Sequence, residues 1–156
     1  MILKNKIKLN RLLNKYFINQ YFVPQIQLKL SNSLKSFANT SIDISDGLFS
    51  DLDKLINRQK LSFVLDLKNI PISSTLKKVL IKKKLSKINY ISRGDDYQIL
   101  FTASKNKRGI IRKISNKLGI RITKIGRIQK NNHKSMIVDH NNLPIKLKNK
   151  GYFHNF

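Results

Sequence analysis

The sequence predicts an α+β domain in which a mixed β-sheet is covered by helices. Two observations carry that expectation. Segments with strand-like alternation are interleaved with segments of helical period, so strands and helices share one core. The 156 residues are also 40% hydrophobic and show no repeat and no long linker. That length suits one domain able to bury a core of its own.

The elements follow in order. Residues 8–21 place Leu9, Leu12, Leu13, Tyr16, Phe17 and Tyr21 at helical spacing, and Pro24 breaks the run. Residues 27–37, apolar at Leu28, Leu30, Leu34 and Phe37, read as a second short helix. NTSIDIS then alternates through Ile42 and Ile44 as a short strand. Leu48, Leu52, Leu55 and Ile56 restore the helical period and carry a helix to about residue 59. LSFVLDL (61–67) is a strand, with a loop through Pro71 after it, and residues 74–84 are a lysine-rich helix. YQILFTA (97–103) is a strand, and residues 106–118 are a helix closed by Gly119. Residues 120–128 and 135–139 are strands, and the tail beyond Pro144 is mostly irregular. The expected core comprises Ile42, Leu48, Leu52, Phe63, Leu65, Ile99, Leu100 and Phe101. Residues 1–22 read as a connecting helix leading in from another domain, and 23–156 as the folded domain.

Composition removes several function classes. There is no cysteine, hence no disulfide framework, thiolate metal site or cysteine nucleophile. His133, His140 and His154 lack tight metal-ligand spacing, which argues against zinc. No apolar run approaches the ~20 residues of a membrane span, and a cytoplasmic protein is expected. The opening residues are basic and amphipathic like a transit peptide, but use Lys and Asn where Arg and Ser would be expected.

The formal net charge of +24, from 32 Lys+Arg against 8 Asp+Glu, invites a nucleic-acid reading. Lysine supplies 25 of the basic residues, however, and asparagine (17) and isoleucine (22) are enriched with it. Selection for phosphate binding would not enrich all three, whereas A/T-rich codons would. Codon drift is therefore taken as the main source of the charge, and nucleic acid is not the expected partner.

Against that background the acids are informative. SIDISDGLFSDLDKL holds four of the eight (Asp43, Asp46, Asp51, Asp53), SRGDDYQILF holds Asp95 and Asp96, and there is no glutamate. Asp43 and Ser45 stand at a strand end and Asp46-Gly47 opens a helix. Free N–H groups there would favour an anion such as phosphate, and Asp43 with Asp46 could share Mg²⁺. Simple helix capping is the commoner use of such residues and accounts for one of the two, Ser45 or Asp46, though not for Asp43. Asp51 and Asp53 are expected on the exposed helix face. In the second window Gly94 permits close backbone approach; a ligand-binding pair of acids and a solvated hairpin turn both fit.

Taken together, SIDISDGLFSDL (41–52), RGDDYQILFTA (93–103), TKIGRI (123–128) and GYFHNF (151–156) resemble the C-terminal half of the thiamine-monophosphate kinase family, within the aminoimidazole ribonucleotide synthase-like superfamily. YFVPQIQLKL resembles the link into that half. The resemblance implies ATP- and Mg²⁺-dependent phosphorylation of thiamine monophosphate to thiamine diphosphate. It implies Asp43 and Asp46 as Mg²⁺ ligands, Ser45 as an ATP contact, and Asp95 and Tyr152 on the substrate; no catalytic residue is assigned. Tyr152 would face the cationic thiazolium. The chain departs from the family in having Arg93-Gly94-Asp95 where Gly-Gly-Glu is usual, and one extra residue near Phe156. The family's N-terminal half, which supplies much of the nucleotide site and the usual homodimer interface, has no counterpart. The reading is therefore a C-terminal lobe, inactive by itself. The alternatives are another member of the superfamily, such as a hydrogenase-maturation or purine-synthesis protein, and a small basic RNA-binding protein. The leading reading requires Asp43, Asp46 and Asp95 to converge.

Overall fold

The computed structural model describes residues 7–56, 59–130 and 134–147. Helix α1 (Arg11–Phe22) begins at Asn10, whose side chain accepts from the Leu13 N–H at 2.9 Å. The expected second helix is only one turn, α2 (Leu28–Ser31), followed by a 3-10 turn at Leu34–Ser36. The hydroxyls of Ser31, Ser33 and Ser36 bond back to the carbonyls of Leu28, Lys29 and Ser33. This Ser-Asn-Ser run competes with continuous helix despite its apolar spacing.

Strand β1 (Thr40–Asp43) leads into α3 (Leu48–Ile56), and β2 (Leu61–Asp66) follows. Helix α4 (Ser74–Lys82) is capped by Ser73, and a further turn of helix, α5 (Ile88–Ile91), falls where no element was expected. Strand β3 (Ile99–Thr102) precedes α6 (Arg108–Leu118), which ends at Gly119 in the left-handed conformation (φ 63°) as its sequence predicts. Residues 120–125 are not strand. Strand β4 begins at Gly126 (Gly126–Lys130), and β5 is Met136–Val138.

The α+β class is as expected, and the strands divide between two sheets. β1 pairs antiparallel with β3, Ile42 opposite Leu100. The second sheet has the order β4-β2-β5, antiparallel between β2 and β4 and parallel between β2 and β5, and so is mixed. Helix α3 contacts both β1 and β2. Its Leu48, Phe49, Leu52 and Ile56 join Phe63, Leu65, Ile70, Ile91, Leu100 and Ile137 in one core. Phe49 meets Phe63 edge-to-face at 4.8 Å. Of the expected core, Leu48, Leu52, Phe63, Leu65 and Leu100 are buried. Ile42, Ile99 and Phe101 are half-buried because a two-stranded sheet covers little of either face.

Helix α1 has no buried residue. Tyr21, Phe22, Val23, Ile26 and Leu28 form an exposed apolar strip, Phe22 and Val23 each at 66% exposure. Tyr16 and Phe17 are half-buried and stack edge-to-face on each other. Among the described residues, no helix is long and apolar enough to cross a membrane.

Candidate functional site

The two aspartate windows meet through their backbones. The Asp95 N–H donates to the Ser45 carbonyl at 2.8 Å, and the Asp96 and Tyr97 N–H groups donate to Ile44 at 3.2 and 2.9 Å. In return the Ile44 N–H donates to Gln98 at 3.0 Å. Glycine permits this approach. A Cβ on Gly94 would lie 1.8 Å from the Ser45 carbonyl oxygen, and one on Gly47 (φ +115°) 2.8 Å from that of Ser92. The segment that carries Asp43 and Asp46 and the segment that carries Asp95 thus run side by side.

Asp43 ends β1, is exposed, and pairs in register with Ile99. With Tyr97, Ile99, Pro24, Ile26 and Leu28 it lines a cavity of about 370 Å³. Ser45 and Asp46 are half-buried. Asp95 is exposed, with its backbone at φ +66°, and the Tyr97 hydroxyl donates to its Oδ1 at 3.3 Å. Tyr97 itself sits at φ +50°. Two adjacent-but-one non-glycine residues in the left-handed region store strain, a feature that concentrates at binding sites. The Arg93 Nε donates to the Asn89 carbonyl at 3.0 Å. Tyr152 lies outside the described residues, as do His133 and His154.

Asp51 corrects the sequence reading twice. It is not on the exposed face but fully buried, at 0% exposure. Its Oδ2 accepts from the N–H groups of Ser45 and Asp46 at 2.9 Å and of Gly47 at 3.1 Å. The chain's own carboxylate therefore occupies the N–H groups of residues 45–47 that were expected to bind phosphate. Such bonds to an ionised acceptor are the stronger kind, and they fix the backbone that carries Ser45 and Asp46. A signal was present in the spacing: residue 51 falls three after Leu48 and four before Leu55, on the apolar stripe. Asp53 is exposed as expected.

Lys54, also missed, completes the cluster. Its Nζ donates to Asp46 Oδ2 and, at 3.2 Å, to Asp51 Oδ1. The Asp46 bond first, and the Asp51 bond and the two negative charges after it, raise the ammonium pKa against a smaller desolvation effect. By contrast, the two scattered acids hold turns. Asp66 accepts from the Lys68 N–H and the Asn69 amide, and Asp139 accepts from the N–H groups of Asn141 and Leu143.

Burial, and secondarily the Asp95 charge, pushes the Asp96 carboxyl up from 3.8 to about 6, although the residue as a whole stays exposed. An acid raised on folding stabilises the fold below its unfolded pKa. That contribution is lost as pH rises through about 6. Asp96→Asn is therefore expected to melt near the parent at pH ~4 and a few degrees at most above it at pH ~7, solvent screening limiting the gain. Thermal melts at the two pH values check this, and a variant less stable than the parent at neutral pH contradicts it.

Among the described residues no three Asp or His side chains are grouped closely enough to hold a metal by themselves. What the two windows present together is a paired backbone with the cavity at Asp43 and Tyr97 beside it.

This mixed α+β fold is the one found in solved thiamine-monophosphate kinase structures. No protein-family model matches the chain. It is 32% identical to thiamine-monophosphate kinase from Buchnera aphidicola subsp. Acyrthosiphon pisum over 99% of its own length and 47% of the relative's. It is 28% identical to the Escherichia coli O157:H7 kinase over 89% of its own length and 42% of the relative's. The solved structure of AaThiL complexed with AMPPCP and TMP superposes with TM-score 0.71 at 24% identity, over 97% of this chain and 45% of that one. The chain is a homologue of thiamine-monophosphate kinase and matches its C-terminal half. It spans about half the length of the curated relatives it matches.

Proposed function

We propose that residues 1–156 form the C-terminal lobe of an ATP- and Mg²⁺-dependent kinase that converts thiamine monophosphate to thiamine diphosphate in the cytoplasm. The observation that supports the proposal is the backbone pairing of the two aspartate windows, whose acids Asp46 and Asp95 lie 49 positions apart in sequence; on this reading Asp43, Asp46 and Asp95 face one ligand assembly. Two unrelated surface turns would have no reason to meet. A solved homologue holding an ATP analogue and TMP supports the choice of ligands.

The residues fit a magnesium wall. Asp43 and Asp46 supply hard carboxylate oxygens, and Asp46 already accepts a cation in the form of the Lys54 ammonium. Mg²⁺ commonly takes only one or two protein carboxylates and completes its shell with water and phosphate oxygens. Asp43 and Asp46 would hold it, and it would neutralise charge on the transferring phosphoryl group. Ser45 would contact ATP, Asp95 would bind substrate, and Tyr152 would face the thiazolium. Because Asp51 takes the N–H groups of residues 45–47, this lobe binds phosphate through its cations and not through that helix start.

On this reading residues 1–22 connect to an N-terminal lobe, which would cover the exposed strip from Tyr21 to Leu28. Phosphoryl transfer needs nucleotide, cation and acceptor held together, and one wall does not hold all three. Residues 1–156 alone are therefore expected to show no conversion of thiamine monophosphate with ATP and Mg²⁺. Joining or mixing them with the N-terminal half of a full-length relative should restore it, read as thiamine diphosphate formed. Turnover by the isolated chain, or none from the completed assembly, contradicts the proposal. The RNA-binding alternative predicts instead a salt-steep affinity for RNA.

A further inference from the structure

We infer that Lys54 is a resident counter-cation of the Asp46 site, which a divalent cation must displace from the Asp46 carboxylate in order to bind there. The inference rests on the reading of Asp46 as a metal ligand and adds a residue which that reading does not contain.

Three observations carry it. The Lys54 ammonium bonds Asp46 and Asp51 together, so one positive charge stands between two carboxylates of the same segment. Asp51 cannot follow a departing partner: it is fully buried and pinned by three N–H groups, while the Asp46 side chain is 17% exposed. Lys54 can leave Asp46. Its side chain is 49% exposed on the last turn of α3, and its long flexible stem can swing to solvent while keeping Asp51 in reach. An ammonium and a divalent cation on one carboxylate repel each other, so each weakens the other's hold.

Lys54 therefore acts in two opposed ways. Without metal it offsets the repulsion between Asp46 and Asp51 and holds the Asp46 side chain in place. With metal present it competes, lowering affinity and making cation capture depend on whatever draws the ammonium away. A lysine whose role is only to support the fold has no such sign: its removal leaves metal affinity unchanged or lower.

The test uses the chain as it stands, with Mn²⁺ as probe, titrated calorimetrically at fixed ionic strength into the parent, Lys54→Met and Asp46→Asn. Methionine keeps the length of the stem and removes the charge. Lys54→Met is expected to bind Mn²⁺ about twofold to fivefold more tightly than the parent, the scale of one exposed ion pair. Asp46→Asn is expected to bind more weakly. In the parent, the Lys54 ε-CH₂ NMR signals should move toward those of solvated lysine as Mg²⁺ is added. Should Lys54→Met bind no better than the parent while Asp46→Asn is impaired, Lys54 is no competitor and the reading of Asp46 still stands. If Asp46→Asn binds as the parent does, the metal reading of Asp46 fails and this inference with it. Binding by Lys54→Met alone supports the inference; binding by neither parent nor Lys54→Met at millimolar Mn²⁺ overturns it.

Discussion

Asp46→Asn is expected to lower kcat/KM of the completed two-lobe kinase by about 10²–10³-fold, the scale lost when one electrostatic group is removed from a preorganised site. The substitution is nearly isosteric. Asparagine keeps the backbone N–H that bonds to Asp51 Oδ2, so the loop it sits on has no reason to move. What is lost is the negative charge that would hold Mg²⁺ and, before it, the Lys54 ammonium. The loss should therefore appear in kcat/KM while unfolding shifts by no more than about 1 kcal/mol, the scale of the lost Lys54 ion pair, and raising Mg²⁺ should recover part of the activity. Steady-state rates across a Mg²⁺ series, with a urea melt of each protein, decide the point. A variant with parental kcat/KM would remove Asp46 from the chemistry.

Gly94→Ala is expected to destabilise the fold by at least about 3 kcal/mol, at or beyond the upper end of overpacking costs. A methyl at residue 94 would sit 1.8 Å from the Ser45 carbonyl oxygen, 2.7 Å from its carbon and 3.0 Å from the Asp46 Cα. All three are backbone atoms of a loop pinned by Asp51, so no side chain can swing aside. Relief requires the windows to part, breaking the bonds from Asp95, Asp96 and Tyr97 to Ser45 and Ile44. The matched control is Gly109→Ala in α6, where nothing lies within 4 Å of the added carbon. There a gain of up to about 1 kcal/mol in helix propensity is expected. Denaturant midpoints of the two variants should move in opposite directions; a Gly94→Ala midpoint equal to the parent's would mean the windows are not packed as described.

These expectations draw on different levels of the molecule. The positions of most elements were legible because hydrophobic period is a local property: Leu48, Leu52 and Ile56 mark a buried helical stripe wherever that helix lies. The 27–37 segment was misjudged by the same rule, since its leucines have helical spacing while its serines bond their own backbone. The split into two sheets was not legible, because pairing partners such as Ile42 and Leu100 are chosen across long stretches of chain.

The site divides in the same way. An acid-poor, lysine-rich sequence that keeps six of its eight acids in two windows pointed to those windows, and the family resemblance then singled out Asp43, Asp46 and Asp95 within them. The role of Asp51 was decided only in three dimensions. Whether an aspartate on a helix meets water or three N–H groups depends on how the preceding loop turns back over it. Residues 45–47 do so under the constraint of Gly94, 49 positions from Asp46 to Asp95. Spacing and composition are properties of neighbours along the chain, and they determined the class of fold and the candidate acids. Burial and charge pairing are properties of neighbours in space, so only the tertiary structure could make one aspartate an internal cap and set Lys54 on another.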